Sequence, residues 1–470
     1  MSSNSKEIAK LKKKYSKWPP KTRPLINRSV VFNYLPASVS VWILRYLLIR
    51  SDYRLKRESY KYFDLSNRAY GANKALKCKR LFGVATGLLE SNFPNGYKRL
   101  LRSAISATIQ DPSDRVSTSS SILIATQNLV PTTFDATSWY QLSRGLFSLG
   151  YFRAAWFARE NSLDLSIAEG LNSVPSVTVV NRMIEAQLER RNFDFVRNWL
   201  MQNTDQNSKS QRSFRETLNW FEGHLVENSL TKKSENNGSV RLFDELVRGK
   251  QVVLVGPGVA HGEYGEEIDS ADIVARIKYP GSEYLIDQRL FGKRCDISQY
   301  PGLNPLRDLA NLSSYEYFDD LRLIVTGEED SSAVRNTPVF SENQDLPMYR
   351  TNVTSGLRLL TSLIRQSPSS LKIFGYDFYS EVEPYNTGMK SFYERAGWKI
   401  GDGFLLGTHV RYPKVEITSS FAGHDPLSNF CFAQNLYKAG LFDIEPYGKS
   451  ILELSPYQYV ERLEEMLGDW

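Results

Sequence analysis

From residue 250 onward, short apolar runs alternate with stretches of helical character. QVVLVG, ADIVARI, LRLIVTG and LKIFGY are the apolar runs, and SGLRLLTSLIRQ and DPLSNFCFAQNLYKAG are two of the helical stretches. Because buried strands that alternate with helices form mainly parallel sheets, this pattern predicts an α/β fold with a Rossmann-like, doubly wound sheet. Such sheets bind ligands beyond the carboxyl ends of their strands, so a site is expected in the residues that follow the runs.

The length of the chain predicts more than one domain, since 470 residues are too many for one ordinary hydrophobic core. Its 41% hydrophobic and 24% charged residues are typical of a globular rather than a disordered protein. The sequence predicts a basic flexible arm at 1–30, an all-α N-terminal domain at 31–227, a polar linker at 228–245 and the α/β domain at 246–470.

The predicted helical domain contains two similar segments, 140–165 and 179–201. Each has the spacing of a helix–turn–helix, and they repeat after about 40 residues. This pattern is typical either of a tetratricopeptide-like pair or of an ordinary helical bundle packed on the α/β domain. The sequence leaves both interpretations open.

Basic residues crowd the first 28 positions, where Glu7 is the acid, and they contribute to a net charge of +7. Such a run is typical of a solvated tail or of a segment that binds anionic lipid, and we expect no nucleic acid partner. Residues 29–44 are uncharged but are interrupted by Asn33 and Pro36, and they fall short of the about 20 apolar residues of a spanning helix. We therefore expect residues 29–44 to form an interfacial or core segment. The protein would then either make no contact with the inner membrane surface or contact it peripherally.

Cysteine usage bears on the compartment. The three cysteines, Cys78, Cys295 and Cys431, are far apart and show no paired spacing. An odd number without a CxxC pattern argues against a disulfide framework and against a structural zinc site. The sequence therefore predicts a cytoplasmic protein.

A glycine turn, Gly256-Pro257-Gly258, follows the first apolar run. Glycines at such a turn let the backbone approach a phosphate or nucleotide, although a tight structural turn has the same sequence. The turn does not match a dinucleotide fingerprint, because His261 stands where the third glycine belongs.

The block that contains this turn, residues 252–277, reads VVLVGPGVAHGEYGEEIDSADIVARI. It resembles the large sialyl motif of the sialyltransferases of the eukaryotic type. The elements that carry the resemblance are Tyr264-Gly265, Ile268-Asp269 and the run from Asp272 to Arg276. Several fixed spacings match at once, so the chain is identified as a divergent, bacterial-style member similar to glycosyltransferase family 29.

A second block, residues 351–379, resembles the small sialyl motif: a Ser/Thr-Gly turn, an apolar helix and a strand that ends in a Gly-aromatic pair. Ser355 and Gly356 fall on the family's donor-contacting Ser/Thr-Gly. Thr354 and Ser355 also suit a helix N-cap, where free amides and the helix dipole attract a phosphate or carboxylate. Capping and donor binding are compatible roles.

A third block, residues 423–448, resembles the very small motif, in which a His precedes a Glu by five positions. His424 fits the motif, and Asn429 stands in place of the Glu. Among the four histidines, this context favours His424 as the catalytic one. Asp425 is expected to cap the following helix or to orient the imidazole, and His409 lies near the family's histidine that contacts the donor phosphate.

The resemblance implies a variant of the GT-A glycosyltransferase fold and an inverting transfer from a CMP-sugar donor to a glycan or glycolipid acceptor. His424 would be the general base, with no metal or other cofactor required. The transferred sugar would be acidic, either sialic acid or Kdo, and Lys278 or Arg276 would pair with its carboxylate, although Arg276 could equally hold the sheet edge. Amides near Gly256–Gly258 and Ser355-Gly356, together with His409, would stabilise the departing phosphate.

Three departures from the family pattern matter. Pro257 and Lys278 each replace an Asn, which puts the way the donor is held in doubt, and the absence of the family's cysteine pair supports a reducing compartment. Pro257 and Asn429 also keep another interpretation open. One alternative is a catalytically inactive nucleotide-fold scaffold with a helical-repeat partner domain. Another is an enzyme dependent on NAD or a nucleotide diphosphate, which only the glycine turn favours.

Overall fold

The computed structural model describes residues 115–129, 134–148, 150–171, 176–203, 208–224, 238–279, 281, 287–300, 321–327, 337–341, 346–351, 353–381 and 425–468. The predicted basic arm, Cys78, His409 and His424 lie outside the described residues.

Within these residues, seven strands form one parallel sheet, which confirms the predicted α/β class. The strands are β1 Gln251–Val255, β2 Ile273–Ile277, β3 Ile297–Tyr300, β4 Leu323–Thr326, β5 Val339–Ser341, β6 Ser370–Phe374 and β7 Asp443–Ile444. Their order is β5-β4-β3-β2-β1-β6-β7. The chain therefore runs outward from β1 to β5 and then crosses to the other side of β1. This crossing places a topological switch point between β1 and β6, as in Rossmann-like sheets.

Both faces of strand β1 are covered. Val252 and Leu254 point into the main hydrophobic core, whereas Val253 and Val255 belong to a smaller cluster on the opposite face. A strand that is buried on both faces needs apolar residues at successive positions, which explains the unbroken run in the sequence.

Helices dominate the described residues before the sheet. They are α1 Arg115–Gln127, α2 Ala136–Ser148, α3 Phe152–Gly170, α4 Val177–Glu189, α5 Phe193–Gln202, α6 Lys209–Phe221 and α7 Gly238–Val247. The two predicted helix–turn–helix segments fall on the pairs α2–α3 and α4–α5. Both pairs turn in the same way, with a left-handed residue, Gly150 or Arg191, whose amide bonds back to the end of the first helix.

The predicted linker at 228–245 is shorter than expected, because α7 begins within it. Phe243 of α7 is fully buried against the sheet, with its ring 5.0 Å from that of Phe340, and Leu246 and Val247 are buried beside it. The Ser- and Asn-rich residues that precede this helix hid its apolar spacing in the sequence.

Six further helices surround the sheet. They are α8 Gly265–Ser270, α9 Gln288–Phe291, α10 Ser355–Arg365, α11 Pro426–Lys438, α12 Pro446–Leu452 and α13 Pro456–Gly468. Helix α10 packs on β2 and β3, and α3 packs on α13. None of the helices in the described residues is both long and apolar enough to cross a bilayer.

The helices before the sheet share their core with the α/β part. One continuous cluster of buried side chains joins them to the sheet. The rings of Phe221 in α6 and Phe432 in α11 lie 5.0 Å apart, and Arg153 of α3 donates to Glu464 of α13 over 2.7 Å. Cys295 and Cys431 are both buried. The two halves therefore pack as one body rather than as units on a flexible tether.

Candidate functional site

The turns that follow β1 and β6 meet at the switch point, backbone against backbone. The amide of Gly256 donates to the carbonyl of Phe374 over 2.8 Å, and that of Gly258 donates to the carbonyl of Gly375 over 3.0 Å. A Cβ at Gly256 would overlap the carbonyl oxygen of Gly375, and one at Gly258 would lie 2.8 Å from it. Both glycines are therefore required by the contact between the two turns.

This contact corrects one expectation about the donor. The amides of Gly256 and Gly258 were expected to be open to the departing phosphate, but both donate to protein carbonyls. The tight-turn interpretation of these glycines therefore describes their backbone, and a phosphate at this turn would have to be held by other groups.

Tyr376 brings the two predicted glycine corners together. Its Cδ2 lies 3.0 Å from where a Cβ on Gly256 would be, and its hydroxyl lies 2.6 Å from where a Cβ on Gly356 would be. The same hydroxyl is 3.4 Å from Oγ1 of Thr354. Burial raises the pKa of Tyr376 to about 12, so the ring is neutral. The two corners therefore pack on one aromatic ring. We call residues 256–258, 354–356 and 375–377 the switch-point site.

Helix α10 begins at this site. Thr354 has the extended backbone of an N-cap, but its side chain makes no capping hydrogen bond, and Ser355 is half-buried at the first helical position. The amide of Thr354 donates to Oδ1 of Asn429 over 2.8 Å, and Nδ2 of Asn429 donates to the carbonyl of Asp425 over 2.8 Å. The second and third sequence blocks thus meet through the Asn429 amide, a link that a glutamate could not complete because its carboxylate has no donor.

Asp425 caps α11, which confirms one of the two roles expected for it, and the orientation of the His424 imidazole stays a prediction. Its Oδ1 accepts from the amides of Leu427 and Ser428, and its Oδ2 accepts from Nη1 of Arg159 over 2.6 Å and from the hydroxyl of Tyr140 over 3.2 Å. Burial by itself raises the pKa of Asp425, but the guanidinium groups of Arg159 and Arg144 bring it below its ordinary value. Both carboxylate oxygens are engaged by the protein.

Arg159 is a buried hub between the helices of the first half and α11. Its Nε and Nη2 donate to the two carboxylate oxygens of Glu189 over 2.9 and 2.8 Å, and it also contacts Asp425 and the hydroxyl of Ser428. Bidentate pairing of this kind fixes both partners in one geometry. Helices α3 and α4 therefore hold the chain at the residue that directly follows the predicted base, His424.

Arg276 does not face the switch-point site, which corrects its predicted role in donor binding. The residue is only 4% exposed, and its Nε and Nη2 donate to the carbonyls of Arg294 and Phe291 over 2.8 and 2.6 Å. Burial lowers its pKa. Arg276 lies in β2, the middle strand of the sheet, and holds the segment that connects α9 to β3.

Lys278 lies just beyond β2 and is half-buried, with a left-handed backbone at φ 53°. Its amide donates to the carbonyl of Gln299 over 2.9 Å. Its predicted pairing with a sugar carboxylate stays a prediction. The roles of His409 and His424 also stay predictions, because both residues lie outside the described ranges.

A cluster of titratable side chains at the carboxyl ends of β1, β6 and β7 was not predicted from the sequence. We call it the His261 cluster, and its members are His261, Asp377, Glu381, Glu445, Tyr447 and Arg462. The imidazole of His261 stacks on Tyr447, with ring centroids 3.6 Å apart and planes at 20°, and its Nε2 lies 3.8 Å from Oε1 of Glu381. The hydroxyl of Tyr447 donates to Glu381 and accepts from Nη2 of Arg462 over 2.8 Å. The cluster's residues come from the turns after β1 and β6 and from the chain around α12 and α13, and the position of His261, Asp377 and Glu445 just after strands was the only sequence signal.

Asp377 is, with Glu445, one of the buried members of this cluster. It is 7% exposed, its Oδ1 accepts from the amide of Tyr379 over 2.9 Å, and its Oδ2 has no hydrogen-bond partner in the described part of the chain. That oxygen lies 3.4 Å from where a Cβ on Gly258 would be. Burial, with Glu381 and Glu445 nearby, raises the pKa of Asp377 to about 7, and burial also raises the pKa of Glu445.

No group of three or more His, Cys, Asp and Glu in the described ranges is arranged to hold a metal ion, and metal independence stays a prediction. No family model, no curated protein and no solved structure matches this chain.

Proposed function

We propose that the chain is an inverting glycosyltransferase that transfers an acidic sugar, sialic acid or Kdo, from a CMP-sugar donor to a glycan or glycolipid acceptor. In this proposal the sheet is that of a sialyltransferase-type GT-A variant, and the donor lies at the switch-point site. Residues 1–30 would provide any peripheral contact with the inner membrane surface.

The observation that carries the proposal is the convergence of the three sequence blocks. They are separated by long stretches of chain, yet Gly256 and Gly356 pack on the same Tyr376 ring, and Asn429 bonds the amide of Thr354. Chance resemblance at three separate places would not require the three places to meet at the ligand-binding edge of the sheet.

The proposal gives each residue of the site a separate role. The start of α10 at Ser355 offers amides and a helix dipole to an anionic group, and Lys278 offers a charge for the sugar carboxylate. His424 would accept the proton of the attacking hydroxyl, since a neutral imidazole suits that task near pH 7. Arg159 and Asp425 would keep the preceding loop in place without touching the substrate.

The test measures release of CMP from CMP-sialic acid and CMP-Kdo, with water as acceptor, together with calorimetric binding of CMP. We expect turnover of one donor, and a loss of about 100-fold or more in kcat for His424→Ala with CMP binding retained. His224→Ala is the matched control, because His224 is exposed just after α6 and belongs to none of the three sequence blocks.

A second candidate, the inactive nucleotide-fold scaffold, is favoured by the internal use of the Gly256 and Gly258 amides and of Arg276. CMP binding without turnover of either donor would support it. Absence of CMP binding to the wild-type chain would contradict both candidates.

A further inference from the structure

We propose that His261 and Glu381 form a second catalytic pair at the switch-point site, in which His261 donates a proton to the departing phosphate and Glu381 holds its imidazole. The inference rests on the proposed function. It gives His261 a role on the leaving-group side, and the resemblance in the three sequence blocks gives this residue no role. It arises from the finding that the amides of Gly256 and Gly258 are occupied.

His261 is built into the site rather than free in solvent. One face of its ring is covered by Tyr447, and its Nε2 lies 3.8 Å from Glu381. The hydroxyl of Tyr447 bonds the same carboxylate and is itself fixed by Arg462. Tyr447 and Glu381 therefore hold the imidazole in one orientation. Glu381 orients His261 as the third residue of a catalytic triad orients its histidine.

The pair is also accessible to a ligand. The side chains of His261 and Glu381 are 27% and 28% exposed, and His261 lies three positions after Gly258 in the turn that leaves β1. The carboxyl end of β1 at a switch point is where a nucleotide phosphate binds in such sheets. A donor at the switch-point site therefore brings its phosphate to this turn.

Carboxylates, an aromatic ring and a guanidinium surround the imidazole. The carboxylates of Glu381 and Glu445 lie close enough for their charge to act on the imidazole. Tyr447 covers one face of the ring, and the guanidinium of Arg462, 5.8 Å from the centroid of the Tyr447 ring, is the nearby cation. Asp377 adds an independent sign of a ligand, because its buried Oδ2 lacks a partner and lies against the same glycine turn. Buried polar atoms without partners are rare in native proteins and concentrate at functional sites.

The step balances as follows. The acceptor oxygen forms a bond to the anomeric carbon and loses its proton to the base, proposed as His424. The bond from the anomeric carbon to the phosphate oxygen breaks, and its electron pair stays on that oxygen. His261 gives that oxygen the proton of Nδ1 while Nε2–H faces Glu381, and solvent later restores the proton.

The experiment compares wild type, His261→Gln, Glu381→Gln and the matched control His224→Gln. It measures CMP release from CMP-sialic acid and CMP-Kdo across pH, calorimetric CMP affinity, and folding by circular dichroism. We expect His261→Gln to lower kcat by about 100-fold and to lose the alkaline limb of the pH profile, with CMP affinity and folding unchanged. Glu381→Gln should lower kcat less and displace the alkaline limb, and His224→Gln should match wild type.

Wild-type kcat and an intact alkaline limb in His261→Gln would overturn the inference while leaving the proposed function standing. A loss confined to CMP affinity would also overturn it, since that result describes binding alone. If His261→Gln does not fold, an unchanged pH profile in Glu381→Gln has the same force. Failure of wild type to turn over either donor would contradict the proposed function, and the inference with it.

Discussion

A side chain has no room at Gly256, because the carbonyl oxygen of Gly375 occupies the position of its Cβ. At Asn429 the requirement is chemical instead, since one amide must accept from Thr354 and donate to Asp425. Both residues look like parts of a donor motif in the sequence, where glycine suggests a phosphate and Asn429 is a departure from the family. Their packing and bonding partners come from distant segments, so their structural roles could not be predicted from local sequence.

Gly256→Ala should destabilise the fold by about 1–3 kcal/mol, because the added methyl group must displace the backbone of the β6 turn. Urea unfolding measures the change. Gly238→Ala is the control, since nothing lies within 4 Å of its Cβ position. Equal stability of the two variants would show that the turns do not pack as described.

Restoring the family's glutamate with Asn429→Glu should not raise activity. The carboxylate cannot donate to the carbonyl of Asp425, and placing it in a buried position should lower the free energy of unfolding by about 1–3 kcal/mol. Donor turnover and urea unfolding test this together. A more active and equally stable variant would contradict the structural role given to Asn429.

Asp377 should make stability depend on pH. Its pKa in the folded state is about 7, above the ordinary 3.8, so the folded state holds the proton more tightly than the unfolded state. Stability is therefore lost as the pH rises from about 4 through 7, by up to about 4 kcal/mol from this group. The free energy of unfolding of Asp377→Asn relative to wild type should rise over that window, whereas Glu453→Gln, at an exposed position, should track wild type. A constant difference for Asp377→Asn across the window would contradict the burial of an unpartnered carboxyl.

At the scale of elements, the sequence predicted the strands that are mostly apolar, namely β1, β2, β4 and β6, and the helices α10 and α11. It did not single out β3, in which Ser298 and Gln299 are polar yet fully buried, or the short strands β5 and β7. Periodicity identifies elements that bury apolar side chains along their whole length. Tertiary contacts specify the polar buried strands. They also specify clusters whose members come from distant segments, such as the His261 cluster.

The contact between α3, α4 and α11 depends on Arg159. Arg159→Met should destabilise the fold by about 3–5 kcal/mol, because it leaves Glu189 and Asp425 buried without their cation. Arg241→Gln is the control, since Arg241 forms an exposed ion pair with Glu245 and should change stability by less than about 1 kcal/mol. Similar losses in both variants would contradict the hub.

At the scale of the whole molecule, the helices before the sheet and the α/β part should unfold together. The main core is continuous across both, and Trp139 and Trp220 of the helices are buried in it. Tryptophan fluorescence, to which Trp139 and Trp220 of the helices contribute, and exchange of the β-strand amides should therefore follow one denaturant transition. Two well-separated transitions would show that the halves are independent domains.

The central claim is that the switch-point site binds the donor, and a crystal structure of the chain with CMP tests it most directly. The account predicts CMP beyond the carboxyl ends of β1 and β6, with its phosphate near Ser355 and His261 and the His424 ring within hydrogen-bond reach of the bound sugar position. CMP bound elsewhere, or a His424 ring more than about 10 Å from the phosphate and thus beyond proton-transfer distance, would contradict it.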